Sequence, residues 1–182
     1  MSKILKSIRL ILYIVIYMSP TLSMANDREY AVKSGFIYNF ARYSEGSWFN
    51  PNDSQRYIIC SFDPQFVLTA SKTLALQKVK NRLVEVHLIS VDGIASSTCH
   101  SFFLTNKNTN MVDKVVHNPN FADTMLIGEN KSFIGSGGHI NLFITGGKVR
   151  FEVDSYSLSQ SGIKMSSKVL RLGRVIKGPK YD

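Results

Sequence analysis

The stretch Gly138-His-Ile-Asn-Leu-Phe-Ile-Thr-Gly-Gly-Lys-Val-Arg-Phe-Glu-Val-Asp154 sets the fold class. Two alternating runs flank Gly146-Gly147, the composition of a two-residue turn that needs positive φ at both central positions. Placing Thr145 opposite Lys148 pairs Ile144 with Val149, Leu142 with Phe151 and Ile140 with Val153. All six apolar side chains then share one face. The other face carries Asn141, Phe143, Arg150 and Glu152. Asp154 follows as the cap of a short helix through Leu158 that ends at Gly162.

Upstream, short apolar runs alternate with helical patterns. Strands are expected at 56–62, 82–89, 99–105 and 124–127. Asp63-Pro64 reads as a cap followed by proline at the first helical position, with Phe66, Val67, Ala70 and Leu74 on one face. Met111, Val112, Val115 and Val116 mark another helix that stops before Asn118-Pro119. Asn26 and Glu29 have capping-box spacing, and Val32, Phe36, Ile37 and Phe40 extend a helix over about 28–43. The segment Glu45–Ser54 is a loop holding the lone Trp48. A last helix is expected through Val169, Leu170, Leu172 and Val175 to about Ile176, with Gly173 weakening it by up to ~1 kcal/mol. The expected architecture is α/β of the mixed α+β kind. It is a single domain with a mixed sheet of about six strands, flanking helices and a C-terminal β-hairpin.

Length and composition agree with one globular unit. The chain has 182 residues, 44% hydrophobic and 19% charged. Its formal charge is +9. Lys3, Lys6 and Arg9 precede the apolar run Leu10–Met18, and Ser23 and Ala25 are small residues at the −3 and −1 positions before Asn26. That is the pattern of a signal peptide, 1–25, leaving a mature domain at 26–182. The run is shorter than the roughly 20 residues a membrane span needs. An uncleaved N-terminal anchor is the alternative. Removing the segment lowers the charge to about +6. Export favours an acidic protein face or anionic headgroups over nucleic acid as the basic chain's counterpart.

In an oxidising compartment, Cys60 and Cys99, the only cysteines, tend to pair. Such a bridge contributes ~4 kcal/mol by loop entropy. Two separate buried thiols and a labile redox switch are the other readings.

Catalytic and cofactor motifs fail on context. Gly135, Gly137 and Gly138 precede a strand and do not open a helix, against a dinucleotide site. Gly146-Gly147-Lys148 lacks the rest of a phosphate loop. Ser161 and Lys164 have S-x-x-K spacing, but Gly162 interrupts the helix between them. His87, His100, His117 and His139 show no metal-ligand spacing, so no metal and no cofactor are expected. A binding role is favoured over an enzyme. Two surfaces are candidates: the outward hairpin face with Phe143 and Glu152 continuing onto Leu158, and a basic stripe of Lys168, Arg171, Arg174 and Lys177 on the last helix. A helix covering the first, and an ordinary solvated face for the second, are the structural alternatives.

Three segments together resemble the YfiR/HmsC-like family of periplasmic regulators. Ala31–Tyr43 (AVKSGFIYNFARY) is similar to its opening helix. Gly137–Leu142 with Val149–Val153 (VRFEV) is similar to its G-G-x-I-N-L and V-R-F-E segments, and Ser166–Leu172 (SSKVLRL) to its ending. The resemblance implies a repressor that binds the periplasmic domain of an inner-membrane diguanylate cyclase, lowering cyclic di-GMP and biofilm formation. It implies an OmpA-type outer-membrane lipoprotein as a second partner and a homodimer. It maps a cysteine pair onto Cys60 and Cys99. Partner contacts map onto Glu152 and Leu158, with Ile140 and Phe151 nearby. A second cysteine pair of the family is replaced by Ile134 and Asn141. Apart from the resemblance, a periplasmic small-ligand sensor feeding another membrane receptor is the rival function.

Overall fold

The computed structural model describes residues 21–176. Most of the expected signal segment, and Lys177 of the basic stripe, lie outside them. In chain order the elements are α1 (Thr21–Arg42), β1 (Ser44–Glu45), β2 (Arg56–Ser61), α2 (Pro64–Thr73), β3 (Lys78–Val79), β4 (Arg82–Leu88), β5 (Ser101–Leu104), α3 (Val112–Val116), β6 (Met125–Gly128), β7 (Ile140–Thr145), β8 (Lys148–Asp154), α4 (Ser155–Gln160), β9 (Lys164–Met165), α5 (Ser167–Leu170) and β10 (Arg174–Ile176). Short 3-10 turns sit at Ile94–Ser96, Asn106–Met111 and Pro119–Phe121.

The mixed α/β class holds, with a larger sheet than the six strands expected. Eight strands run in the order β10-β8-β7-β6-β5-β2-β4-β3, and β1 pairs with β9 separately. β4, β2, β5, β6 and β7 are parallel; β8 returns antiparallel to β7. The hairpin register is the one read from the sequence, Thr145 with Lys148 through Ile140 with Val153. Gly146 and Gly147 supply the positive φ values, 56° and 69°.

The sheet divides two apolar layers. One gathers Tyr30, Ile37 and Phe40 of α1 and Phe66 and Ala70 of α2 against Tyr57, Ile59, Phe103, Ile127, Leu142 and Phe151. The other packs Val112 and Val115 of α3, with Ile94, Phe121 and Phe133, on Cys60, Phe102, Leu104 and Leu126. The connection β2–α2–β4 uses the first face, and the return from β4 to β5 passes β2 on the second. Strand order therefore reverses between β2 and β5, the topological switch point of a doubly wound sheet.

Three expectations about helices are corrected. α1 begins at Thr21, so Asn26 lies inside it and does not cap it. Its inner face is also rotated: Val32 is exposed while Lys33 and Ser34 are buried. Lys33 is tolerated there because its ammonium lies between Glu29 and Glu129, 3.0 Å from the latter. The last helix stops after one turn, capped by Ser166, and the chain continues as β10, parallel to β8. Gly173 marks that break: a Cβ there would come within 2.2 Å of the Phe151 ring. The basic stripe is divided accordingly. Lys168 is on α5, Arg171 at its C-terminal cap and Arg174 on β10, so they do not form one helical face.

Candidate functional site

Helices and turns cover β2, β5 and β6 on both faces, but the second face of β7, β8 and β10 is built differently. Phe143 and Arg150 face each other across β7 and β8. Asn141 opposes Glu152, and Arg174 of β10 lies beside Glu152 on the other side. The Asn141 side-chain amide donates to Glu152 Oε1 at 3.1 Å, and the Arg174 guanidinium donates to Glu152 Oε2. Arg174 also lies 6.0 Å from the centre of the Phe143 ring. The four residues thus make one contiguous patch: exposed Arg150 and Arg174, half-buried Phe143, and Glu152 as the buried anion that fixes Arg174 in place.

The structure alters the expected contact set. Glu152 is 6% exposed and Leu158 only 1%. Leu158 is the apolar side of the short amphipathic α4, held by Asp154, whose carboxylate accepts from the Tyr156 and Ser157 N–H groups. It is core, and it does not continue the outward face. Ile140 (0%) and Phe151 (2%) are likewise core, on the side the register assigns them. The sequence pattern puts Arg174 on a helix, whereas it lies on a strand beside β8. Its contribution to this patch depends on β10, which the ambiguous period of Arg-Val-Ile did not reveal.

Cys60 and Cys99 form a disulfide, with Cα atoms 5.8 Å apart. It ties the end of β2 to the segment entering β5, inside the second core layer.

Two buried histidines have parallel roles. His100 precedes β5, and its Nδ1 accepts the Ile58 N–H at 2.9 Å. His139 precedes β7, and its Nδ1 accepts the Leu126 N–H at 3.1 Å. Burial lowers both from 6.5 to about 4. With Nδ1 occupied as an acceptor, the His139 proton is on Nε2 and is donated to Ser161 Oγ at 3.2 Å. That tautomer cannot take the serine proton, so the Ser161–His139 pair is not an activated nucleophile. Among the described residues no group of three or more His, Cys, Asp or Glu side chains is arranged to hold a metal ion. No described helix is long and apolar enough to cross a membrane.

The YfiR/HmsC-like family profile matches residues 30–174, so the chain belongs to that family. No curated protein sequence matches it. Among solved structures it is similar to an ABC domain in complex with L-Trp from Streptococcus pneumonia, at 16% identity and TM-score 0.48 over 70% of this chain and 56% of that one. It is also similar to a conserved domain protein from Vibrio cholerae O1 biovar eltor, at 14% identity and TM-score 0.47 over 66% of this chain and 54% of that one. The chain thus spans little more than half the length of either.

Proposed function

We propose that this protein is a periplasmic repressor that binds the periplasmic domain of an inner-membrane diguanylate cyclase and holds it inactive, lowering cyclic di-GMP. Family membership over residues 30–174 supports a regulatory role of this kind. The observation that carries the docking surface is the Phe143–Arg150–Glu152–Arg174 patch on β7, β8 and β10. It combines an aromatic with arginines, the residue types that dominate protein contact energies. Glu152 serves by positioning Arg174. Leu158 serves by seating α4 beneath the end of the hairpin. Repression follows if the patch binds the inactive conformation of the cyclase more tightly than the active one.

An OmpA-type lipoprotein competing for the same patch, and self-association, are further proposals that rest on the family alone. Maturation after Ala25 is proposed on the signal pattern. A pull-down with the cyclase periplasmic domain tests the reading. Arg150→Glu, at an exposed strand position, is expected to lose capture while keeping the wild-type melting temperature. Retained capture by that variant contradicts the assigned surface.

A further inference from the structure

A second cleft lies towards the middle of the sheet, at the carboxyl ends of β2 and β5. Open α/β sheets place their ligand crevice at such a reversal of strand order. Here a cleft of about 370 Å³ is lined by Phe62, Asp63, Pro64, Leu68, Lys107 and Asn108, among others. Its floor is Asp63, 2% exposed. Asp63 Oδ1 accepts the Gln65 and Phe66 N–H groups of α2. Oδ2 accepts the Tyr30 hydroxyl at 2.6 Å and lies 3.0 Å from Lys107 Nζ.

The two partners of the Asp63–Lys107 pair are held unequally. The carboxylate is almost wholly buried, and the lysine side chain is 58% exposed. A buried anion requires a cation or several donors. A solvent-exposed ammonium gains little from staying in one place. Burial acts to raise the Asp63 carboxyl, but the Tyr30, Lys107 and Phe66 donors outweigh it and hold it below its ordinary range. Lys107 Nζ also sits 5.5 Å from the centre of the Tyr30 ring, so carboxylate and ring together form an ammonium seat.

The Thr105 hydroxyl lies 3.2 Å from Asp63 Oδ2 and 3.1 Å from Asn108 Oδ1, with one hydrogen to give. When that hydrogen goes to Asp63 Oδ2, Asn108 Oδ1 on the wall of the cleft can accept from a ligand ammonium, which brings three donors. The walls are apolar: Phe62, Pro64 and Leu68, the last 52% exposed.

We infer that this cleft binds a small primary amine with an apolar body, its ammonium taking the seat that Lys107 Nζ holds against Asp63 and Tyr30 and its body lying on Phe62, Pro64 and Leu68. Lys107 is then a tethered stand-in for the ligand, displaced to solvent on binding.

Titration calorimetry on the full-length protein with phenethylamine as probe tests this, with phenylacetate and benzyl alcohol as controls. Lys107→Met removes the competitor and is expected to bind the amine about tenfold more tightly than wild type. Leu68→Lys, on the exposed rim, adds a competing cation and is expected to weaken binding about tenfold with an unchanged melting temperature. The controls are expected to give no heat of binding. Absence of binding to wild type and to folded Lys107→Met overturns the proposal, as does equal affinity for phenylacetate. If Lys107→Met does not fold, Leu68→Lys decides: affinity equal to wild type overturns the site. Cyclase capture through the hairpin patch is a separate measurement, so either proposal stands or falls without the other.

Discussion

The two halves of the sheet are protected in different ways. In the parallel half, β2, β5 and β6 are sandwiched by helices on both faces, and a disulfide and two neutral histidines are sealed among them. In the hairpin half, β7 and β8 bury one face in the layer beneath α1, while the other, extended by β10, ends in Phe143, Arg150 and Arg174. Buried polar groups in the parallel half stabilise and specify the fold. The same chemistry in the hairpin half, where Glu152 is buried and Arg174 is not, orients a charge towards solvent. The first region seals its polar groups inside, and the second, the surface proposed to make contact, presents them to solvent.

Acidification is expected to have the largest effect on the parallel half. His100 and His139 are lowered to about 4, against 6.5 when unfolded. Between those values the unfolded chain binds more protons than the folded one, so stability is full above about pH 6.5 and is lost as pH falls towards 4. The loss is roughly 3 kcal/mol per histidine at the limit. Denaturant melts at stepped pH check it, and His139→Gln is expected to flatten part of the slope. Next is the disulfide. Cys60→Ser/Cys99→Ser is expected to lose ~4 kcal/mol, read from the chemical-denaturation midpoint. Leu158→Ala is expected to cost about 3 kcal/mol as a cavity in the core, lowering protein abundance along with any binding. Arg150→Ala is the smallest: within ~0.5 kcal/mol of wild type by thermal melt, because its side chain is exposed. A large loss there would erase the distinction between the two halves.

Features fixed by adjacent residues were legible in the sequence. Asp63-Pro64 opened a helix because an Asx cap and a preset φ are local properties. Gly146-Gly147 fixed the hairpin register for the same reason. What escaped depends on distant partners. Lys33 is buried by Glu129, 96 positions away in sequence. Glu152 is buried because β10 lays Arg174 over it, and a three-residue Arg-Val-Ile run suits helix and strand periods equally. The burial of Leu158 is not legible because a six-residue helix is too short for its pattern to tell which of its sides meets the core. Asp63 was legible as a cap. Its second role, joining Tyr30 and Lys107, arises from residues 33 and 44 positions away.

The central claim is that the uncovered hairpin face restrains a membrane cyclase. Cellular cyclic di-GMP, measured beside the abundance of the protein, tests it most directly in a strain carrying Arg150→Glu together with Phe143→Ala. The account predicts cyclic di-GMP raised to the level of a deletion strain, with the variant as abundant as wild type. Cyclic di-GMP held at the wild-type level by an equally abundant variant would contradict it.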